Sequence, residues 1–110
     1  MTDYSKMTDE QVNEAILSRK GYVRCEKITT DFAVWVNRDG DEIYYLPPNY
    51  THDWRLAGEL LEEMMLNNQV SFWKETGGYS CELSCFEDYF TAPTHQRAIC
   101  EAWLAWKEQG

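Results

Sequence analysis

Cysteine side chains are the first candidates for chemistry in this sequence. Four cysteines occur among 110 residues, and two of them, Cys81 and Cys85, have a spacing that suits a metal-binding pair on a helix. The residues around this pair alternate between polar and apolar, which predicts a strand, and residues four apart on a strand lie roughly 13 Å from each other. One metal ion or one disulfide bond cannot span that distance. The cysteines, Cys25, Cys81, Cys85 and Cys100, are therefore expected to be reduced, with no bound metal and no cofactor.

The two histidines do not form a recognisable catalytic arrangement. His52 and His95 each lie at a predicted helix start, where the helix dipole disfavours a protonated imidazole. The sequence has no glycine-rich phosphate loop, no paired-histidine metal motif and no serine elbow. The sequence therefore predicts a protein that is not an enzyme.

The charge balance restricts the classes of partner. Ten basic and nineteen acidic side chains give a net charge of -9, and repulsion then disfavours direct binding to nucleic acid or to an anionic membrane. No stretch approaches the roughly 20 apolar residues of a membrane span. Residues 1–10 are polar and acidic and lack the pattern of a signal peptide. We expect a soluble, cytoplasmic protein.

Groups of carboxylates recur along the chain and have two interpretations. They could imitate the spaced phosphates of DNA and so block a DNA-binding protein, or they could only solvate the surface. The groups are Asp39, Asp41 and Glu42, then Glu59, Glu62 and Glu63, then Glu87 and Asp88.

The first element that would position these residues is a short helix. Thr8 and Gln11 form a capping-box pattern, and Gly21 has the position of a left-handed helix stop. Val12 and Ile16 belong to its apolar face. Residues 1–6 before it are polar and are expected to be frayed.

Three strands are predicted after this helix. Asp39-Gly40 marks a hairpin turn, which pairs Val36 with Ile43 and Trp35 with Tyr44. Both faces of this hairpin are apolar, so both faces require a covering layer of helices. The strands cover residues 22–27 and 32–37 and the segment that follows Gly40.

An amphipathic helix is predicted between this hairpin and a second one. Pro47 and Pro48 end the preceding strand, and Thr51 is expected to be the N-cap. We expect this helix to supply the apolar face on which the hairpins pack. That face contains Trp54, Ala57, Gly58, Leu60, Leu61, Met64 and Met65.

The second hairpin has one apolar and one polar face. With Gly77-Gly78 as its loop, Trp73 lies on the polar face, where a large aromatic ring among small polar groups is typical of a recognition surface. The alternative is that Trp73 packs under the end of a helix. The predicted binding residues are Trp73, Ser71, Glu82 and Ser84, with Trp35 and Tyr44 added if the two hairpins lie side by side.

The last predicted helix covers residues 94–108. Arg97 and Glu101 lie on its polar side, whereas Cys100 and Leu104 lie off its core face and are expected to touch a neighbouring element or a second copy of the chain. The complete prediction is one α+β domain over residues 1–110. It is a three-layer α/β/α sandwich with a mostly antiparallel sheet of about five strands, in the order α-β-β-β-α-β-β-α.

Two short segments resemble the phage-encoded ABA-sandwich domain family. One is Tyr50-Thr51-His52-Asp53-Trp54 after the double proline, where His52 replaces a small hydroxyl residue of the family pattern. The other is Ala98-Ile99-Cys100-Glu101-Ala102 in the last helix. The resemblance covers roughly residues 8–107 in element order. It implies a phage or prophage origin and an α/β/α fold, and it implies no established activity.

The expected function is that of a non-enzymatic phage or prophage accessory protein. It would bind and block a host factor in the bacterial cytoplasm, as a counter-defence or host-takeover protein, and a host protein is the expected partner. One alternative is a sponge that sequesters a small nucleotide immune signal. Another is an acidic nucleic-acid mimic or a minor virion component. The sequence also allows the chain to form a homo-oligomer.

Overall fold

The computed structural model describes residues 2–26, 33–37, 43–44 and 48–109. Within these ranges the element order confirms the predicted α+β class with three α-helices, and it adds a sixth strand that the sequence did not predict. The predicted turns at residues 29–31 and at Asp39-Gly40 lie outside the described ranges. The helices are α1 (Asp9–Arg19), α2 (Trp54–Met65) and α3 (His95–Gln109), preceded by a 3-10 helix (Tyr4–Lys6). The strands are β1 (Val23–Glu26), β2 (Ala33–Val36), β3 (Ile43–Tyr44), β4 (Val70–Glu75), β5 (Gly78–Leu83) and β6 (Phe90–Ala92).

The described strands form two antiparallel sheets of three strands each, in the orders β1-β2-β3 and β4-β5-β6. The predicted single sheet of about five strands inside an α/β/α sandwich is therefore not confirmed. Strand β6, which the sequence did not predict, pairs with β5 and takes one edge of the second hairpin. In the first sheet, Trp35 pairs with Tyr44 and Val36 with Ile43, as predicted.

The centre of the fold is α3, not α2. Helices α1 and α2 and strands β5 and β6 all pack on α3, and nine consecutive residues of α3, Arg97–Ala105, are buried. A helix that is buried all round needs neighbours on every side. Cys100 and Leu104, which the sequence places off the core face, are thus covered by elements of the same chain.

The start and the apolar face of α2 differ from the prediction. Asp53 is the N-cap, and its carboxylate accepts hydrogen bonds from the backbone amides of the first turn. Thr51 is instead fully buried, and its backbone amide donates to Asn13. Ala57, Leu60 and Met64 are buried as predicted, whereas Trp54 and Met65 at the margins of the face are exposed. The core of the domain uses only the central part of the predicted face.

The N-terminal segment is ordered, although its polar composition predicts fraying. Tyr4 is buried in the main core, because the Arg97 guanidinium of α3 donates to its carbonyl oxygen and the Tyr4 hydroxyl donates to Glu108. The helix signals that follow are confirmed. Thr8 and Gln11 form both bonds of the capping box, and Gly21 has a φ of 96° at the helix end.

The second hairpin turns one residue earlier than predicted. Glu75 pairs with Gly78, so the turn residues are Thr76 and Gly77. This changes the cross-strand pairing by two positions, and since side chains alternate with a period of two, each residue keeps its predicted face.

Gly78→Ala is expected to destabilise the protein by about 2 kcal/mol. Gly78 has a φ of 152°, and an added Cβ would press against the carbonyl oxygen of Ala92 in the neighbouring strand. The matched control is Gly77→Ala, where a Cβ meets open space and the change should be less than about 0.5 kcal/mol. Urea unfolding of both variants measures the difference, and equal stabilities would contradict the described turn.

Candidate functional site

The second sheet has one face toward α3 and an opposite, outer face. Cys81, Leu83 and Ala92 point toward α3 and are buried in the main core. The residues between them along the strands point the opposite way. On that outer face, Ser71 is exposed, and Trp73 and Glu82 are partly exposed. The outer face thus presents a partly exposed aromatic residue among polar side chains.

Trp73 is held in one orientation on this outer face. Its indole Nε1 donates to Glu75 Oε1 at 2.7 Å. Its ring meets Tyr89 edge-on, with 5.1 Å between the ring centroids. The cross-strand partner of Trp73 is Ser80, which is fully buried and hydrogen-bonded to the Thr91 hydroxyl at 2.8 Å. Trp73 thus stands over the sheet beside Tyr89. We call these two residues the aromatic pair.

The other residues predicted for this site are only partly brought together. Ser71 and Glu82 are cross-strand partners on the same face as Trp73. Ser84 follows the end of β5, and its hydroxyl accepts a hydrogen bond from the Gln69 amide. Trp35 is buried in the core and belongs to the other sheet, and the side chain of Tyr44 lies outside the described part of the chain. Trp35 and Tyr44 thus do not extend this surface along a shared sheet.

A cleft of about 490 Å³ adjoins the aromatic pair. It opens between the N-terminal segment, residues 2–5, and the connection into β6, residues 86–91, and Tyr89 belongs both to the cleft and to the aromatic pair. Among the described residues, its lining contains four carboxylates and no lysine or arginine. We call it the acidic cleft, and its carboxylates are Asp3, Glu87, Asp88 and Glu101.

Aromatic side chains form much of the remaining wall of the acidic cleft. Phe86 and Phe90 meet edge-on with 5.6 Å between ring centroids, and Tyr4 and Tyr89 complete the aromatic lining. Tyr89 is 48% exposed. A cavity with anionic groups and aromatic faces is chemically suited to an organic cation, because both features attract positive charge.

A buried ion network supports the cleft from α3. Arg97 donates from Nε to Glu101 at 2.9 Å and from its terminal nitrogens to Asp9 at 2.6 Å and to the carbonyl of Met7 at 2.7 Å. Burial raises the pKa of Glu101, and the Arg97 guanidinium offsets part of that rise. Burial also acts to raise the pKa of Asp9, but hydrogen bonds from Arg97 and His52 lower it overall.

The sequence placed Arg97 and Glu101 on the polar side of the last helix, so this network was not predicted. The available signal was their i, i+4 spacing, which suits an ion pair. Apolar residues occupy most other positions of the same helix. A helix apolar nearly all round is expected to be central, and its charged pair to be buried with it.

A second, smaller recess of about 210 Å³ lies where α2 and α3 begin. The His95 ring is surrounded there by Phe72, Tyr79 and Trp54, with centroid distances of 5.8, 4.4 and 6.2 Å. Its Nε2 is buried and has no hydrogen-bond partner among the described residues. Trp54 is 55% exposed at the rim.

The cysteines lie in two kinds of environment, and all four are free thiols. Cys81 and Cys100 are buried; burial raises the pKa of Cys81 to about 12 and that of Cys100 even further, so both remain protonated and poor metal ligands. Cys25 and Cys85 are exposed, and Cys85 follows the end of β5 instead of lying within it. Among the described residues, no group of three or more His, Cys, Asp or Glu side chains could hold a metal ion.

None of the helices in the described ranges has the length and apolar character needed to cross a membrane. Comparison of the chain with protein-family models, curated proteins and solved structures finds no match. The resemblance to the phage ABA-sandwich family therefore stays a prediction from the two sequence motifs.

Proposed function

We propose that this protein is a non-enzymatic phage or prophage accessory protein that binds and blocks a host protein in the bacterial cytoplasm. The phage origin rests on the motif resemblance. The binding role is carried by one observation: the outer face of the second sheet presents the aromatic pair, Trp73 and Tyr89, whose rings meet edge-on. Counter-defence or host takeover is the process in which such blocking would act.

The aromatic pair has the properties of an interface hot spot. Tryptophan and tyrosine are enriched among the residues that dominate binding energies. Trp73 is already oriented by its hydrogen bond to Glu75 and by its contact with Tyr89. A side chain that is ordered before binding loses less rotamer entropy on association. The surface is thus suited to contact with another protein.

Cavity size and charge favour a protein partner over a nucleotide immune signal. The recess at His95 measures about 210 Å³, which is below the roughly 300–1,000 Å³ of ordinary ligand pockets. The acidic cleft is large enough, but its carboxylates would repel the phosphates of a nucleotide. The acidic nucleic-acid mimic is an alternative that would use the same carboxylates. It differs from the proposed function in that the partner must be a DNA-binding protein. The virion-component alternative has no structural feature in its favour.

The proposal is tested with the variant Trp73→Ala. Tagged wild-type protein is used to capture host proteins from lysate, and the affinity of the identified partner is then measured by calorimetry. Trp73→Ala should weaken that affinity by about 30-fold, which corresponds to a hot spot of roughly 2 kcal/mol. The reason is loss of the oriented indole from the centre of the interface.

The matched control is Trp54→Ala, since Trp54 is an exposed tryptophan at the start of α2, outside the aromatic pair. It should keep wild-type affinity. Circular dichroism and thermal unfolding of both variants show whether each is folded at the temperature of the binding measurement. Wild-type affinity of a folded Trp73→Ala protein, or equal losses in both variants, would refute the proposed surface.

A further inference from the structure

We infer that the acidic cleft receives an arginine side chain from the protein partner. This inference rests on the proposed function and assigns the chemistry by which the partner is recognised. The cleft adjoins the aromatic pair through Tyr89, so one partner segment can contact both. An arginine from such a segment would anchor it beside the hot spot.

Charge complementarity is the first argument. Glu87 and Asp88 are exposed side chains on the β6 side of the cleft. Asp3 lies on the opposite side, and a hydrogen bond from Ser5 lowers the pKa of Asp3, so it is ionised at neutral pH. Lys6 approaches Asp3 at 4.0 Å but is highly exposed, and exposed pairs of this kind neutralise little charge. The cleft therefore attracts a cation from two sides.

Glu101 provides a second, independent argument. It lines the cleft although the residue is only 3% exposed. One of its oxygens, Oε2, accepts the hydrogen bond from Arg97, whereas Oε1 accepts none from the described residues. An N–H donor entering the cleft would complete the hydrogen bonding of this carboxylate.

The shape of the cleft selects arginine among cations. Metal binding requires carboxylates that converge on one point, and no such group of three occurs in the described residues. A guanidinium is planar, carries five N–H donors and stacks on aromatic rings. Tyr89 and Phe90 belong to the lining and offer aromatic rings for such contact. Several separate carboxylates match the several donors of one guanidinium better than the compact ammonium of lysine.

The test uses a short peptide, acetyl-Gly-Arg-Gly-amide, titrated into the full-length protein and followed by NMR. The amide signals of residues 86–91 and 2–5 should shift and saturate. A citrulline counterpart, which has nearly the same shape without the charge, should bind at least about tenfold more weakly. A lysine counterpart should also bind more weakly than the arginine peptide.

A pair of double variants with equal changes in net charge provides the control. Glu87→Gln/Asp88→Asn should weaken binding of the arginine peptide by about tenfold. Glu59→Gln/Glu62→Gln changes two exposed carboxylates of α2 that do not line the cleft and should leave the affinity nearly unchanged. Equal affinity for arginine and citrulline, equal effects of the two double variants, or shifts only outside residues 2–5 and 86–91 would overturn the inference.

Failure of this inference is distinguishable from failure of the proposed function. If Trp73→Ala weakens capture of the host protein and Glu87→Gln/Asp88→Asn does not, the cleft assignment is wrong and the binding surface stands. If the arginine peptide binds in the cleft but Trp73→Ala captures its partner normally, the proposed surface is wrong and the cleft assignment stands.

Discussion

Arg97→Met is expected to destabilise the protein by about 3–5 kcal/mol, because it leaves the buried carboxylate of Glu101 without its partner. The substitution also removes the hydrogen bonds that the guanidinium donates to Asp9 and to the carbonyl oxygens of Tyr4 and Met7. The N-terminal wall of the acidic cleft should therefore loosen. Urea unfolding at pH 7 measures the loss, and hydrogen exchange of residues 2–7 measures the loosening.

The destabilisation by Arg97→Met should shrink as the pH falls. Burial raises the pKa of Glu101 even in the intact protein, and loss of Arg97 removes the group that opposes that rise. A carboxyl group whose folded-state pKa is raised favours folding most below its unfolded-state pKa, and this contribution is lost as pH rises through the folded-state pKa. Stability differences at pH 5 and pH 8 should thus be unequal, with the larger difference at pH 8.

A double-mutant cycle identifies the ion pair as the cause. Glu101→Leu removes the carboxylate, and the double variant Arg97→Met/Glu101→Leu should be less destabilised than the two single effects added together, by about 1–3 kcal/mol. Simple additivity, or an Arg97→Met effect below about 1 kcal/mol, would contradict a tightly coupled buried pair.

Trp103→Ala is the second change with a large expected effect, a loss of about 3–5 kcal/mol. Trp103 is fully buried near the middle of α3, and its indole Nε1 donates to Glu63 on α2 at 2.9 Å. Lys20 and Lys107 also lie over its ring, at 5.8 and 5.5 Å from the centroid. Removing the ring creates a cavity between helices and leaves Glu63 without one of its hydrogen-bond donors.

Trp54→Ala is the matched control for this substitution also. It removes an indole that is 55% exposed, and its cost should be below about 1 kcal/mol. Thermal unfolding of the two variants under the same conditions provides the comparison. A Trp103→Ala protein as stable as Trp54→Ala would mean that α3 is not the centre of the core.

The sequence by itself determined those features that depend on only a few neighbouring residues, such as a helix start or the face of a strand. Thr8 and Gln11 form the predicted capping box because a helix start is satisfied within four residues. The alternation in β4 and β5 determined which side chains share a face, so Trp73 lies on the less apolar face despite the change of turn. The hairpin pairing of Trp35 with Tyr44 was likewise predictable from its turn residues.

Only the tertiary structure decided which helix is central and where a cleft opens. Arg97 reaches Tyr4 across 93 positions of sequence, and this contact orders an N-terminal segment whose composition predicts fraying. The acidic cleft brings residues 2–5 against residues 86–91, and no periodicity within either segment encodes that approach. The physical reason is that a local pattern specifies which side of an element is apolar, whereas the choice of neighbour depends on the combined packing of all elements.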